Sequence, residues 1–161
     1  MNEIKKIIVH WSASRKYTTV EQLRAWHKAK GWRDIGYHRL ILHPDSLQLE
    51  GELIRTWGDL VKLGRKLNDD KFLLPDEVGA HTLGFNSDSV AICVVGNKDY
   101  GMHSLQKVAL SNVLTILTKR FNLNPEQVHT HRELNPTACP GDEIHGLVMR
   151  WRKLNGVGVA A

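Results

Sequence analysis

Three side chains far apart in the chain could together hold a metal ion: His10, His131 and Cys139. Imidazole nitrogen and thiolate sulfur are good zinc ligands, and a His–His–Cys set leaves one tetrahedral position for water. An ion held this way can lower the pKa of its water to about 7 and polarise a carbonyl, which is hydrolytic chemistry. The spacing from His131 to Cys139 is no zinc-finger pattern. With nine histidines in 161 residues many such triples can be drawn, so residue types alone do not single this one out. An isolated His10 behind an apolar strand reads more readily as a satisfied core histidine.

The elements that must position these groups follow from hydrophobic periodicity and capping signals. Residues 4–10 predict a buried strand ending at His10. Thr18 and Glu21 form a capping-box pattern ahead of a helix over 19–30 that stops at Gly31. Leu23, Trp26 and Ala29 are its expected inward stripe, with His27 and Lys28 facing elsewhere. Strands are predicted over 37–43, 49–56 and 59–63, and the polar stretch 65–80 reads as loop. The apolar run 89–95 predicts a central strand covered on both faces. Ser104 caps a predicted helix to Phe121, with Leu105, Val108, Val113, Ile116, Leu117 and Phe121 facing the core. A short strand near 127–130 delivers His129 and His131. A last helix over 143–154 carries Ile144, Leu147, Val148 and Trp151 inward. The interleaving implies one α/β domain over 1–155, a mixed, mostly buried sheet flanked by helices, with 156–161 as a loose tail.

Composition narrows the class. Apolar content is 42%, and no stretch approaches the ~20 apolar residues that span a bilayer. The apolar run Ile7 to Val9 is far shorter than a secretory leader requires, so the expectation is synthesis in a cytoplasm without a signal peptide, and no membrane insertion. The formal charge of +5 favours anionic polymers. The basic residues are scattered, and no nucleic-acid recognition motif accompanies them. Cys93 lies in an apolar run and reads as a core thiol. Cys139 lies among polar and turn residues, and a disulfide between the two stays open.

Several segments, in chain order, resemble the type-2 N-acetylmuramoyl-L-alanine amidases, a family that includes phage endolysins and peptidoglycan recognition proteins. They are Ile7-Ile8-Val9-His10-Trp11-Ser12-Ala13-Ser14, Asp34-Ile35-Gly36-Tyr37-His38, and Gly64-Arg65. Then come Val78-Gly79-Ala80-His81-Thr82 with Asn86, the run from Val90 to Asn97, and His129-Thr130-His131-Arg132-Glu133. Asn135-Pro136-Thr137-Ala138-Cys139-Pro140-Gly141 completes the set. Each segment is weak alone; their shared order is specific.

The resemblance implies one zinc ion held by His10, His131 and Cys139, and it selects His131 over His129. It implies that Tyr37 is the active-site tyrosine, able to hydrogen-bond the attacking water or the developing oxyanion. Thr137 stands where many phage enzymes carry lysine, and keeps a donor while losing the cation. Trp11 and His81 are the candidate substrate contacts, a structural role for His81 being equally open. Asn86 is expected to fix a loop, and Trp57 is a second candidate for sugar stacking. The segment 44–57 is longer than the short turn the family pattern suggests, and reads as an extended hairpin beside the cleft. The implied reaction is hydrolysis of the amide between N-acetylmuramic acid and L-alanine in peptidoglycan, by a monomeric endolysin. A non-catalytic receptor of the same fold and a cytoplasmic muropeptide-recycling amidase are the alternatives.

Overall fold

A computed structural model describes residues 1–156; the expected loose tail lies outside the described residues except for Gly156, which ends the last helix. Strand β1 (Asn2–Glu3) leads into β2 (Lys6–Trp11), and α1 spans Val20–Ala29. Next come β3 (Arg39–Ile41), α2 (Pro44–Leu49), a 3-10 turn at Trp57–Leu60, β4 (Val61–Leu63) and β5 (Phe72–Leu73). Strand β6 (Ser89–Val94) precedes α3 (Ser104–Arg120). Strand β7 (Val128–Thr130), α4 (His131–Leu134) and α5 (Asp142–Gly156) follow.

The main sheet has the order β4-β3-β6-β2-β7, with β4 antiparallel to β3 and the other pairings parallel. The expected mixed sheet is thus present, and β6 at its centre is buried at every position. Along β2, Ile7 and Val9 join the main apolar core while Ile8 and His10 point to the other face. Each fully buried Val or Ile contributes about 1.5–3 kcal/mol, so the register that places His10 opposite Cys93 is held by many side chains. Helices α3 and α5 pack on one another, and Ile144, Leu147, Val148 and Trp151 are buried as expected.

The structure departs from the local signals by small steps. Helix α1 is capped by Thr19 and Gln22, one residue later than expected. Thr-Thr-x-Glu-Gln satisfies the box pattern in two registers, and the Ser46 hydroxyl donating to the carbonyl of Thr18 holds that residue outside the helix. Separately, the buried face runs through Val20, Leu23 and His27, so His27 is buried and Trp26 is 50% exposed, the reverse of the expectation. The buried imidazole accepts from Gly36 N–H at 2.9 Å and lies against the rings of Trp32 and Tyr37.

In α3 the cap is His103, not Ser104. Gln106 is buried and donates to the carbonyl of Val95 at 2.9 Å, which turns Val108 and Ile116 out to 46% and 44% exposure. The expected hairpin at 44–57 is absent. Pro44 opens α2 behind the His43 cap, and Leu47 fills the core. Only the end of the predicted 59–63 strand forms. The 65–80 segment contains β5, which pairs with β1 in a separate two-stranded sheet. Buried Glu77 there accepts from the N–H groups of Asn68 and Leu74, both at 2.7 Å. Cys93 is a buried free thiol and Cys139 is also free, so the disulfide left open is not formed.

Gly36 ties this frame to Tyr37. A Cβ there would collide with the carbonyl of Ala80 and crowd the Trp32 ring. Its own carbonyl accepts from Ala80 N–H at 3.2 Å. Gly36→Ala should destabilise the chain by about 1–3 kcal/mol through overpacking, measured as a lowered urea midpoint; an unchanged midpoint would show that the contact gives way.

Candidate metal centre

His10 sits one residue before the end of β2 and is 1% exposed. His131 is the first residue of α4, directly after β7, the strand hydrogen-bonded to β2 on its other side. Cys139 is delivered by the loop between α4 and α5. One donor atom from each of the three lies within 4.8 Å of the others. Cys139 Sγ is 3.7 Å from His10 Nδ1 and accepts from Trp11 N–H at 3.4 Å.

The Cys139 loop is held at several points. Its carbonyl accepts from Arg132 N–H at 2.9 Å, and its N–H donates to Thr137 Oγ1 at 3.2 Å. The Arg132 guanidinium reaches Ala138 O and Asp142. Gly141 has φ +85°, and a Cβ there would run into the Trp11 ring at 2.6 Å. Glycine is therefore required where the loop crosses the indole.

The second nitrogen of each histidine is engaged. His131 Nε2 lies 3.2 Å from Asn135 Oδ1. The Asn135 amide nitrogen donates to the carbonyls of Leu134 and Leu83, so Oδ1 accepts from an Nε2–H and His131 Nδ1 keeps its lone pair. His10 Nε2 lies 3.1 Å from His81 Nδ1 and 3.3 Å from Thr82 Oγ1.

These surroundings suit a cation. Burial, then the neighbouring His131 and His38, hold His10 well below the usual imidazole range. Burial likewise lowers His131, with Asn135 opposing. Burial pushes the Cys139 thiol up to about 11, against the Trp11 N–H and Arg132. Two neutral imidazoles and a thiol that ionises only beside a cation are a zinc-type donor set. A tetrahedral ion with bonds of about 2.0–2.3 Å holds its donors about 3.5 Å apart, close to the 3.7 Å between Cys139 Sγ and His10 Nδ1. The three side chains fit a single ion.

The remaining sequence candidates fall at different distances from this group. The Tyr37 ring centroid is 5.3 Å from that of His10. Burial first, then the Cys93 and Cys139 sulfurs, raise its phenol well above the usual range, so it stays protonated as a donor. Thr137 is exposed, and its hydroxyl proton is not needed for its bond from Cys139 N–H. Trp11 holds Cys139 through its backbone, while its ring lines a cavity of about 270 Å³ with Met102, Pro140 and Ile144. His81 lies in the wall behind His10, bonded to Thr82 and Ser89. Asn86 Oδ1 accepts from the N–H groups of His81 and Thr82, both at 2.9 Å, fixing that loop. His38 spends both ring nitrogens on the backbone of Ala91 and Glu77. His129 is not among the three residues whose donor atoms converge. Trp57 starts the 3-10 turn and packs against the core. Sequence reasoning missed Asn135, although its place four residues after His131 is the spacing that puts two side chains on one helical face. It also missed Ser89.

The architecture and the clustered donors define a hydrolase-like α/β domain, and comparison with known proteins assigns it. The chain belongs to the N-acetylmuramoyl-L-alanine amidase family, whose sequence model it matches over residues 1–142. It is an amidase that acts on peptidoglycan. The endolysin of Klebsiella phage KP32 is 29% identical over 161 residues, covering 95% of this chain and 88% of that protein. The endolysin of Enterobacteria phage K11 is 30% identical, with coverage of 94% and 87%. Among solved structures, the amidase LysC of Clostridium intestinale shares the fold with a TM-score of 0.69 at 20% identity, covering 92% of this chain and 85% of that one. Bumblebee PGRP-SA does so at 0.70 and 24%, with coverage of 94% and 83%.

Asn135→Ala should lower affinity for a divalent ion about 10–100-fold, because the imidazole it orients is freed to rotate and change tautomer. Competition against a colorimetric chelator measures this, and an unchanged affinity would remove Asn135 from the metal's support.

Proposed function

We propose that the chain is a zinc-dependent N-acetylmuramoyl-L-alanine amidase, a phage endolysin that cuts the amide between N-acetylmuramic acid and the L-alanine of the stem peptide. The observation that carries this reading is the convergence of His10, His131 and Cys139 within 4.8 Å, from three separate segments, beside a protonated tyrosine. When bound, zinc supplies Lewis acidity, polarising the scissile carbonyl and making water a nucleophile near neutral pH.

The chain's own residues do the rest. The Tyr37 phenol donates a hydrogen bond to the oxygen on which charge develops and relays to the departing alanine amine the proton that the attacking water gives up, so that it ends protonated. Thr137 offers a neutral hydroxyl from the exposed rim, steadying water or the oxyanion without a fixed charge. Trp11 presents an indole edge to the glycan or peptide beside the cleaved bond. His10, buried behind the others, is the ligand farthest from solvent and anchors the ion from within the fold.

The presence of Cys139 and Tyr37 favours catalysis over a receptor role. Near full-length similarity to phage endolysins supports host lysis as the setting, with the enzyme acting as a monomer on the wall after release from the host cytoplasm. No helix among the described residues is long and apolar enough to cross a membrane.

Purified peptidoglycan should release free amino groups with the zinc-loaded chain and none after chelation; no release from the loaded chain overturns the reading. Cys139→Ser should lose both zinc and activity, because a neutral hydroxyl replaces a thiolate. Tyr37→Phe should keep zinc and slow turnover by roughly 10²–10³-fold. Zinc analysis and amine release, run together on each variant, check both expectations, and full activity in either reassigns that residue.

A further inference from the structure

The wall behind His10 contains a hydrogen-bond chain whose direction is fixed at one end. The Ser89 hydroxyl lies 2.6 Å from the carbonyl of Phe85. A carbonyl only accepts, so the single Ser89 proton is spent there. His81 Nε2, 3.4 Å from the same hydroxyl oxygen, must then be the donor, and its Nδ1 carries the lone pair.

That Nδ1 has two neighbours, His10 Nε2 at 3.1 Å and Thr82 Oγ1 at 2.9 Å, and these are 3.3 Å from one another. Were His10 Nε2 bare, two ring lone pairs would face each other with one threonine proton between them. With a proton on His10 Nε2, every contact has a donor and an acceptor: His10 donates to His81, or to Thr82, which donates onward. His10 Nδ1 is then bare and faces Cys139 Sγ at 3.7 Å. Asn135 sets the same pattern at His131 from the opposite side.

We propose that His81 is a positioning residue rather than a substrate contact: with Ser89 it locks His10 in the Nε2-protonated tautomer, so that Nδ1 is presented to the metal. The geometry supports this in four ways. His81 is anchored at its backbone by Asn86. Its ring is edge-on to that of His10 at a 5.0 Å centroid separation. Ser89 is fully buried at the start of β6, with its hydroxyl held too far back in the fold to meet a polymer. Finally, Gly79 packs so close that a Cβ there would lie 2.7 Å from the His81 ring, leaving the imidazole little freedom to turn away. The effect on metal affinity rests on the zinc reading above, whereas the tautomer does not.

The test uses the whole chain with 15N-labelled histidines. Long-range proton–nitrogen correlation spectra of the metal-free protein should show His10 as a single Nε2–H tautomer. Ser89→Ala removes the acceptor that orders His81, and His81→Leu removes the acceptor that orders His10; both should shift His10 toward a mixture. Zinc affinity, read by chelator competition, should fall about 10–100-fold in each. His81→Gln restores an amide oxygen as acceptor and should recover most of the affinity, which a purely space-filling role would not require. An Nδ1–H tautomer in the parent chain, or a His10 spectrum unchanged by both Ser89→Ala and His81→Leu, overturns the proposal. So does unchanged affinity in His81→Leu. If the parent chain takes up no zinc at all, the metal reading fails, and the tautomer spectra still decide the role of His81. Should one variant not fold, as judged by its amide spectrum, the other carries the result.

Discussion

A buried imidazole has two ring nitrogens, and leaving either without a partner costs about 1–3 kcal/mol. Much of this structure follows from that constraint, because His10 and His38 are almost wholly inaccessible and His81 is only partly exposed. His38 settles its account entirely with the backbone, accepting from Ala91 N–H and leaving its other nitrogen to Glu77 O. His81 and His10 lean on each other, on Thr82 and on Ser89. Among the described residues, His10 Nδ1 is the ring nitrogen whose hydrogen-bond contact is a sulfur. In the metal-free chain the Cys139 thiol can donate to it, since burial keeps that thiol protonated. A divalent ion held as proposed would take the place of this single proton between the same two atoms.

The surrounding backbone is arranged around that demand. Parallel pairing of β2 with β7 brings His131 beside His10, and the close approach of Gly36 and Gly79 allows the loop bearing His81 to lie against the strand end bearing Tyr37. Preformed donors avoid most of the ordering entropy that a floppy site would lose on binding an ion. The opposing cost, desolvation of three polar side chains, is met by hydrogen bonds from residues that never touch the ion: Asn135, Thr82 and the Trp11 backbone. This polar network stiffens the site, although the buried Arg132 Nε has no partner in it.

The three candidate ligands were legible only through the resemblance, whose segments share an order along the chain; residue types and local pattern alone left His10 a core histidine and gave no choice between His129 and His131. The sheet was legible from local pattern, since the 89–95 run is apolar throughout. What supports the ligands was harder to see. Ser89 and Thr82 are small polar residues whose importance lies wholly in what folds against them. Trp26 and His27 exchanged places because the His27 imidazole, four residues after Leu23 on the buried face, accepts from Gly36 N–H. Gln106 rotated α3 away from its most apolar stripe by finding the carbonyl of Val95. In each case a tertiary hydrogen bond to a buried polar group outweighed the preference for burying one more apolar side chain. That order is expected, since an unsatisfied buried polar group costs more than partial exposure of a valine or isoleucine.

The gradient of burial across the donor set gives the centre a direction. His10 is sealed in the fold, His131 and Cys139 are half-buried, and Thr137 is exposed. An ion among the three would be shielded on the His10 side and approachable from the Cys139 loop, so the proposed reaction would bring substrate over the segment from Asn135 to Gly141. That segment is pinned by Arg132, by the indole of Trp11 and by the bond between Thr137 and Cys139. A threonine at 137 thus serves the loop's shape as well as its chemistry, since its oxygen holds the Cys139 N–H while its proton stays free for a ligand. A lysine there would bring a cation but no short-range acceptor for that N–H. The exchange of a charge for a rigid rim fits the proposed centre, in which charge stabilisation would fall to the ion and Tyr37 and the rim would hold the polymer still.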